Sequence, residues 1–313
     1  MADDVTTPTR EGAGAAGEVR HSSAAVVAAV DGSVGDPTVI DWAADEAARS
    51  GRTLRLVHVV EPGYQLTPYE AVFGELPSLS EQLRANGHAV VDAAAERAAA
   101  RHPGLEVERR VEWGPPAGII IDVTDGAGWL VLGAPPRHRF ERVLLGSVAL
   151  ATVAHARCPV AVVPQAHEVT APHLVLVGVD GSSGSARAVE LALATAAPVG
   201  GTIVCVIGWT VEVEGGVVVT EPGTDRWARV EERYARLVHE TVDPLAARYP
   251  DVAVEVVVRS GGASRAVVEV AAERHADLVV VGSRGHGGFR GLLLGSVSRR
   301  VVERAGTVVA VVH

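Results

Sequence analysis

Lysine is absent from this sequence, so all 28 of its Lys/Arg positions are arginine. The absence excludes a Walker A phosphate loop, which needs Gly-Lys-Ser/Thr, and it excludes Schiff-base chemistry. Cysteine is nearly as scarce. Cys158 and Cys205 stand far apart without metal-ligand spacing, which reads as two buried small hydrophobes in a reducing, cytoplasmic compartment rather than a disulfide or a metal centre. The twelve histidines show no H-E-x-x-H or paired spacing and no G-x-S-x-G elbow occurs, so metalloprotease and serine-hydrolase readings fall away. Missing too are a charged-then-apolar leader and any run of about 18 apolar residues able to span a bilayer. A formal charge of −10 leaves no basic excess for nucleic acid or an anionic membrane as main partner.

What is present is a duplicated chain. With 313 residues, 48% hydrophobic and 21% charged, the composition suits two ordinary globular domains. Residues 1–20 are small, polar and acidic, and are expected to be disordered. Gly12-x-Gly14-x-x-Gly17 matches a dinucleotide fingerprint only by letters, because no strand precedes it. Beyond the tail, Asp31-Gly32-Ser33 and Asp180-Gly181-Ser182 each end an apolar run and lie 149 positions apart. The same offset relates Thr53 to Thr202, Gly133 to Gly282, Gly146 to Gly295 and Ser147 to Ser296, with a two-residue adjustment in the middle, where Gly114 matches Gly261. The units are 21–165 and 172–313, a tandem repeat.

Each unit alternates strands and helices. The first reads as a strand near 24–30, a helix opening at Asp36-Pro37 with Asp as cap, a strand near 53–60, a loop with Pro62, Pro68 and Pro77, and a long helix near 78–101. A strand at Leu105–Val111, a helix at Pro116–Thr124, a strand at Trp129–Leu132, a helix at Ser147–Ala156 and a strand at Val160–Val163 complete it. The second unit repeats the order, with Asp225–Tyr249 as its long helix. This is an α/β fold of two tandem open five-stranded, mostly parallel sheets with helices on both faces. Ligands of such sheets sit beyond the carboxyl ends of the strands, where strand order reverses.

The chemistry gathers at Gly282-Ser283-Arg284-Gly285, nine residues, then Gly295-Ser296-Val297-Ser298. This stretch follows the buried run Leu278–Val281 and opens a helix. A strand, a glycine loop and a helix N-terminus bring unpaired N–H groups to one point, where a phosphate fits. Glycine here allows close approach and positive φ. Together with Val177-Gly178-Val179-Asp180-Gly181-Ser182 and the duplicated strand order, the pattern resembles the universal stress protein family in its tandem form. The resemblance covers nearly everything after residue 20.

It implies a strand order of 3-2-1-4-5 and an ATP site, with or without Mg2+. Val179 and Asp180 would hold the adenosine end above Gly208. Val281, Gly282 and Gly285 would border ribose and phosphate, and Gly295, Ser296, Val297 and Ser298 would bind the phosphates. It also implies pairing through the last strands, 160–163 with 308–312, inside one chain or in a homodimer. Asp180 read alone is ordinary turn chemistry, and Arg284 and His286 read alone are solvated loop charges.

In the first unit Val30, Asp31, Gly133, Gly146 and Ser147 remain, but Gly133-Ala134-Pro135-Pro136 replaces the glycine loop and Ala149 replaces Ser298. Proline lacks a backbone donor and access to positive φ, so a weaker first site is expected. No catalytic residue or metal ligand stands out, and His58 reads as a packed or hydrogen-bonded histidine. The expectation is a nucleotide-responsive stress or signalling module with an adenine nucleotide as ligand and a regulatory protein as partner. The alternative is a slow ATPase or nucleotidyl-transferring enzyme of a related fold, for which a base and charge clamps are missing.

Overall fold

The computed structural model describes residues 24–61, 77–134, 146–165, 167–285 and 294–313, with backbone alone at 77–79. The tail 1–20, Pro62, Pro68, Pro135, Pro136 and His286 lie outside the described residues. The first half runs β1 (Val26–Ala29), α1 (Asp36–Ser50), β2 (Leu54–Val60), α2 (Pro77–Arg101), β3 (Val107–Trp113), α3 (Pro116–Asp122), β4 (Trp129–Gly133), α4 (Ser147–His155) and β5 (Val160–Val163). The second runs β6 (Leu174–Gly178), α5 (Ser183–Ala196), β7 (Thr202–Trp209), a small hairpin of β8 (Val213–Glu214) and β9 (Val217–Val218), α6 (Asp225–Ala246), β10 (Ala253–Ser260), α7 (Ala263–Glu273), β11 (Leu278–Gly282), α8 (Ser296–Arg304) and β12 (Val308–Val312).

Each half has the strand order 3-2-1-4-5 with parallel pairing throughout. The two sheets then fuse into one of ten strands, because β5 pairs antiparallel with β12 in the register Val160–Val311, Ala161–Ala310 and Val162–Val309. Ala161 and Ala310 are related by the repeat offset, 310 − 161 = 149, so the local two-fold passes through their pair. Joining last strand to last strand removes two edges that would otherwise recruit another chain. The remaining edges, β3 and β10, are the charged ones, exposing Arg109 and Arg110 on one and Arg259 on the other.

Burial follows from this order. The five residues of β12 and the four of β5 are all buried, as strands covered on both faces must be. Side chains alternate between two cores. Val26, Ala28, Ala161, Val163, Val308 and Ala310 join the face covered by α1, α2, α5 and α6, while Val27, Val160, Val162, Val309 and Val311 join the face under α3, α4, α7 and α8. Each core crosses the seam. Full burial of a valine or leucine stabilises by about 1.5–3 kcal/mol, so the central valine runs hold the halves together as well as each half. Trp42 of α1 meets Trp129 of β4 edge to face, centroids 5.4 Å apart.

Three sequence expectations are corrected. Gly35, not Asp36, is the N-cap of α1. The Asp36 carboxylate instead accepts the N–H groups of Asp31 at 3.2 Å and Gly32 at 2.7 Å, clamping the turn before the helix. β3 lies two residues later than expected, because Leu105 closes a turn onto His102 O after the left-handed Gly104, φ 95°. α6 ends at Ala246, shortly after Pro244, and tight bonds from Arg248 to Leu245 O and from Tyr249 to Ala246 O finish the turn.

Candidate functional site

The reversal of strand order in the second half falls between β6 and β11. The segment leaving β6 is a tight turn in which Asp180 Oδ1 accepts the Ser182 N–H at 3.0 Å and Gly181 takes φ 80°. Ser182 caps α5, its hydroxyl accepting the Ser185 N–H at 3.1 Å. The loop leaving β11 folds back onto that helix start, and the fit leaves no room for side chains. A Cβ on Gly282 would lie 2.9 Å from the Gly184 carbonyl carbon, and one on Gly184 would lie 2.7 Å from Arg284 O. One on Gly285 would lie 2.2 Å from Asp180 Oδ2. Gly282, Gly285 and Gly295 all have φ outside the left-handed region; backbone atoms fill the place of a Cβ at Gly282, the end of the Asp180 side chain does so at Gly285, and at Gly295 the nearest atoms are 3.2 and 3.3 Å away. Of the two uses of glycine expected here, close approach is the one seen at these three positions.

The loop is tied at both ends. The Ser283 N–H donates to Val312 O at 2.6 Å and the Gly295 N–H to Ser283 O at 2.7 Å. Ser298, 2% exposed, directs its hydroxyl to Ser283 O and Gly295 O, both at 3.0 Å. Its hydroxyl therefore closes the loop against α8 instead of facing a ligand as the sequence suggested, whereas Ser296 is exposed at the first turn. The first N–H groups of α8, at the positive end of the helix dipole, face outward beside Arg284.

These elements enclose a cavity of about 470 Å³ whose wall includes Val179, Asp180, Gly208, Val281, Gly282, Gly285, Gly295, Ser296, Val297 and Ser298. The size is that of a small-molecule site. Its apolar lining includes Val179, Val206, Val267 and Val281 and its polar lining Arg284, Asp180 and the start of α8. Gly208 sits beneath α7, where a Cβ would lie 2.8 Å from Ala263 Cα, so its smallness seats a helix. Sequence reading missed Val206, Ala263, Val267 and Ser185 in the wall. The apolar spacing of Ala263, Val267 and Val270 along α7 is the signal that marks the helix face.

The first half has a cavity of about 450 Å³ at the matching place, with Val30, Asp31, Gly133 and Gly146 in its wall. Ser147 is exposed and outside it. Val59 replaces Gly208, Ala149 replaces Ser298 and Asp36 replaces Ser185. Around Gly146 no described atom lies within 4 Å of an added Cβ, whereas Gly295 has Ser283 O at 3.2 Å and Ser298 Oγ at 3.3 Å. Burial, reinforced by the neighbouring Asp31 charge, pushes the Asp36 carboxyl up to about 6 against the opposing hydrogen bonds from Gly32 and Asp31. His58 Nδ1 lies 2.9 Å from Val30 O, a structural bond. Cys158 and Cys205 are free and buried, and burial pushes both thiols up to about 12. Among the described residues no helix is long and apolar enough to cross a membrane.

A family model described as the universal stress protein family matches residues 24–164 and 173–313. A universal stress protein of Mycobacterium tuberculosis strain H37Rv is 35% identical over 295 residues, 91% of this chain and 96% of that protein. A second from the same strain is 32% identical over 302 residues, 93% and 97% of the two chains. The crystal structure of a universal stress protein from Archaeoglobus fulgidus superimposes with TM-score 0.69 at 22% identity, covering 93% of this chain and 98% of the other, a likeness of fold. The chain belongs to the universal stress protein family, with the family's domain present twice in tandem.

Proposed function

We propose that the protein is an ATP-binding, nucleotide-responsive stress or signalling module of the cytoplasm whose tight site is the second crevice. One observation carries this reading: Gly184 and Gly282 bring the start of α5 and the loop after β11 into backbone contact that no side chain could share, and Gly285 lies against the Asp180 carboxylate. The contact leaves a cavity with apolar side chains for a base and a helix N-terminus with Arg284 for phosphate. Val179, Val206 and Val281 would pack the base, Asp180 would accept from ribose or base, and Ser296 and the α8 N–H groups would take phosphate oxygens. Ser298 positions that helix start through its bonds to Ser283 and Gly295. Mg2+, where bound, would travel with the phosphates.

The module binds without efficient turnover. Among the described residues Asp180 and Arg284 are the charged side chains in the wall, and Asp180 already holds the Ser182 N–H, a poor arrangement for activating water in line with phosphate. Occupancy would change the surface formed by the α5 start and the β11 loop, which a regulatory protein would read. ATP should raise the melting temperature, since a ligand of the folded state alone stabilises it, while hydrolysis stays negligible. A turnover of about one per second or faster, within the ordinary enzyme range, and lost in a Gly285 variant, would favour the slow-enzyme reading.

A further inference from the structure

The second crevice is fastened from behind by the residues that end β12. Val312 O accepts the Ser283 N–H at 2.6 Å, which holds the loop leaving β11, and the main-chain oxygen of His313 accepts the Arg187 Nε–H of α5 at 2.7 Å. The two elements that close over the crevice are thus tied to two consecutive residues. The imidazole of His313 then reaches the other half. It meets the Val153 carbonyl of α4, and its Nε2 is buried with no hydrogen-bond partner among the described residues. The first turn of the same helix enters the wall of the first cavity through Val148 and Ala149.

The repeat shows which part of this strap is particular to the second half. In the first, Val163 O accepts the Ala134 N–H at 2.8 Å and Gln165 O accepts the Thr38 hydroxyl at 2.9 Å, so the main-chain fastening is kept. One repeat offset before His313, however, stands Pro164, whose ring has no N–H to offer α8. The imidazole link therefore runs in one direction, from the second crevice to the first half.

We propose that His313 is a positioning residue that makes nucleotide binding in the second crevice depend on the first half, by anchoring the Ser283 loop and α5 to α4. The inference rests on the nucleotide reading of that crevice for its ligand, while the strap itself belongs to the free chain. The ring acts as a neutral group. Burial first, then Arg284, Arg187 and His155, hold it below its ordinary value of 6.5 against the opposing Val153 carbonyl. Among the described residues these are the titratable and charged groups facing it from the loop, α5 and α4. Protonation would place a donor on the partnerless Nε2 and a further cation beside Arg187 and Arg284. A released ring takes that proton more readily, so the strap holds above 6.5 and loosens as pH falls below it.

The test is amide hydrogen exchange and ATP titration on the full chain, with His313→Ala and His313→Asn, whose amide replaces the ring N–H toward Val153 without a titratable group. In the ligand-free chain at pH 7.5 the Ser283 and Gly295 amides should exchange severalfold faster in His313→Ala than in wild type, and at the wild-type rate in His313→Asn. ATP affinity should fall about two- to tenfold in His313→Ala, the range of one lost hydrogen bond, and recover in His313→Asn. At pH 5.5 wild type should bind ATP more weakly than His313→Asn, a comparison in which protonation of ATP itself cancels. ATP should also slow exchange of the Ala156 amide, which closes α4 onto Thr152 O, in wild type and not in His313→Ala. Unchanged Ser283 exchange in ligand-free His313→Ala would overturn the strap whatever the crevice binds. Unchanged ATP affinity in that variant, or the same pH profile in wild type and His313→Asn, would overturn its role in binding. A wild type that binds no ATP while Ser283 exchange still responds to His313→Ala would overturn the ligand reading and uphold the strap.

Discussion

Replacing Gly282 by alanine is the sharpest probe of the second crevice, because the repeat supplies its own control at Gly133. A Cβ at Gly282 would sit 2.9 and 3.0 Å from the carbonyl carbon and oxygen of Gly184 and 3.2 Å from Arg284 O. Comfortable carbon contacts are about 3.5–4.0 Å, so backbone must separate by roughly half an ångström or more. At Gly133 the nearest atom is Val39 Cγ2 at 3.3 Å, a side-chain end that can yield. Both substitutions lower unfolded-state entropy alike, a gain of about 0.4–1 kcal/mol that cancels between them. Overpacking costs about 1–3 kcal/mol, so Gly282→Ala should be the less stable by on the order of 1–2 kcal/mol. At about 2–4 °C per kcal/mol for chains of 150–250 residues, the difference is several degrees or slightly less in this longer chain. ATP affinity should fall about tenfold or more in Gly282→Ala as α5 and the loop part, and stay unchanged in Gly133→Ala. Differential scanning calorimetry and titration of both variants check this. Equal melting temperatures and equal ATP affinities would refute the reasoning.

Other outcomes follow from the same contacts. Ser298→Ala removes a hydroxyl bonded to two carbonyls, but Ser283 O keeps the Gly295 N–H. Denaturant unfolding should show a loss of about 0.5–1.5 kcal/mol, with ATP binding weakened severalfold by a looser α8 start. Asp36 has a folded carboxyl near 6, raised from 3.8. The native state therefore holds a proton that the unfolded chain has released between those values, and this group's contribution to stability falls as pH rises through that window. Asp36→Asn should accordingly raise the melting temperature relative to wild type more at pH 8 than at pH 4, and an equal difference at both would contradict the assignment. Ala310 is fully buried at the seam, so Ala310→Asp places an unpaired charge in the core. Equilibrium unfolding should show a loss of roughly 3–5 kcal/mol or no folded protein, and a wild-type transition would mean the seam is not formed.

Much of this architecture was legible in the sequence. Runs such as Val308–Val312 and Leu278–Val281 can only be strands buried on both faces, and the 149-residue offset of Asp31, Gly133 and Gly146 to their partners fixed the duplication. Strand order and the meeting of β5 with β12 came with the family resemblance, since parallel strands of like composition do not reveal which neighbour they choose. Side-chain commitments were not legible. Ser298 looked like a phosphate donor because a hydroxyl's direction depends on which carbonyl the fold brings within 3 Å. Asp36 looked like a cap because Asp-Pro at a helix start usually is one, yet the turn at Gly32 brings two N–H groups to its carboxylate. The hairpin β8–β9 escaped notice although its two-residue turn, Gly215-Gly216 with both φ left-handed at 60° and 81°, is a hairpin signal in the sequence, because its strands are only two residues each.

The central claim is a single tight nucleotide site in the second half, and a calorimetric titration of the full chain with ATP tests it most directly. One equivalent of ATP should bind tightly, and Gly285→Pro, which collides with Asp180 Oδ2, should remove that binding while the first cavity gains none. Two equivalent sites in the wild-type chain, or tight binding that survives Gly285→Pro, would contradict the account.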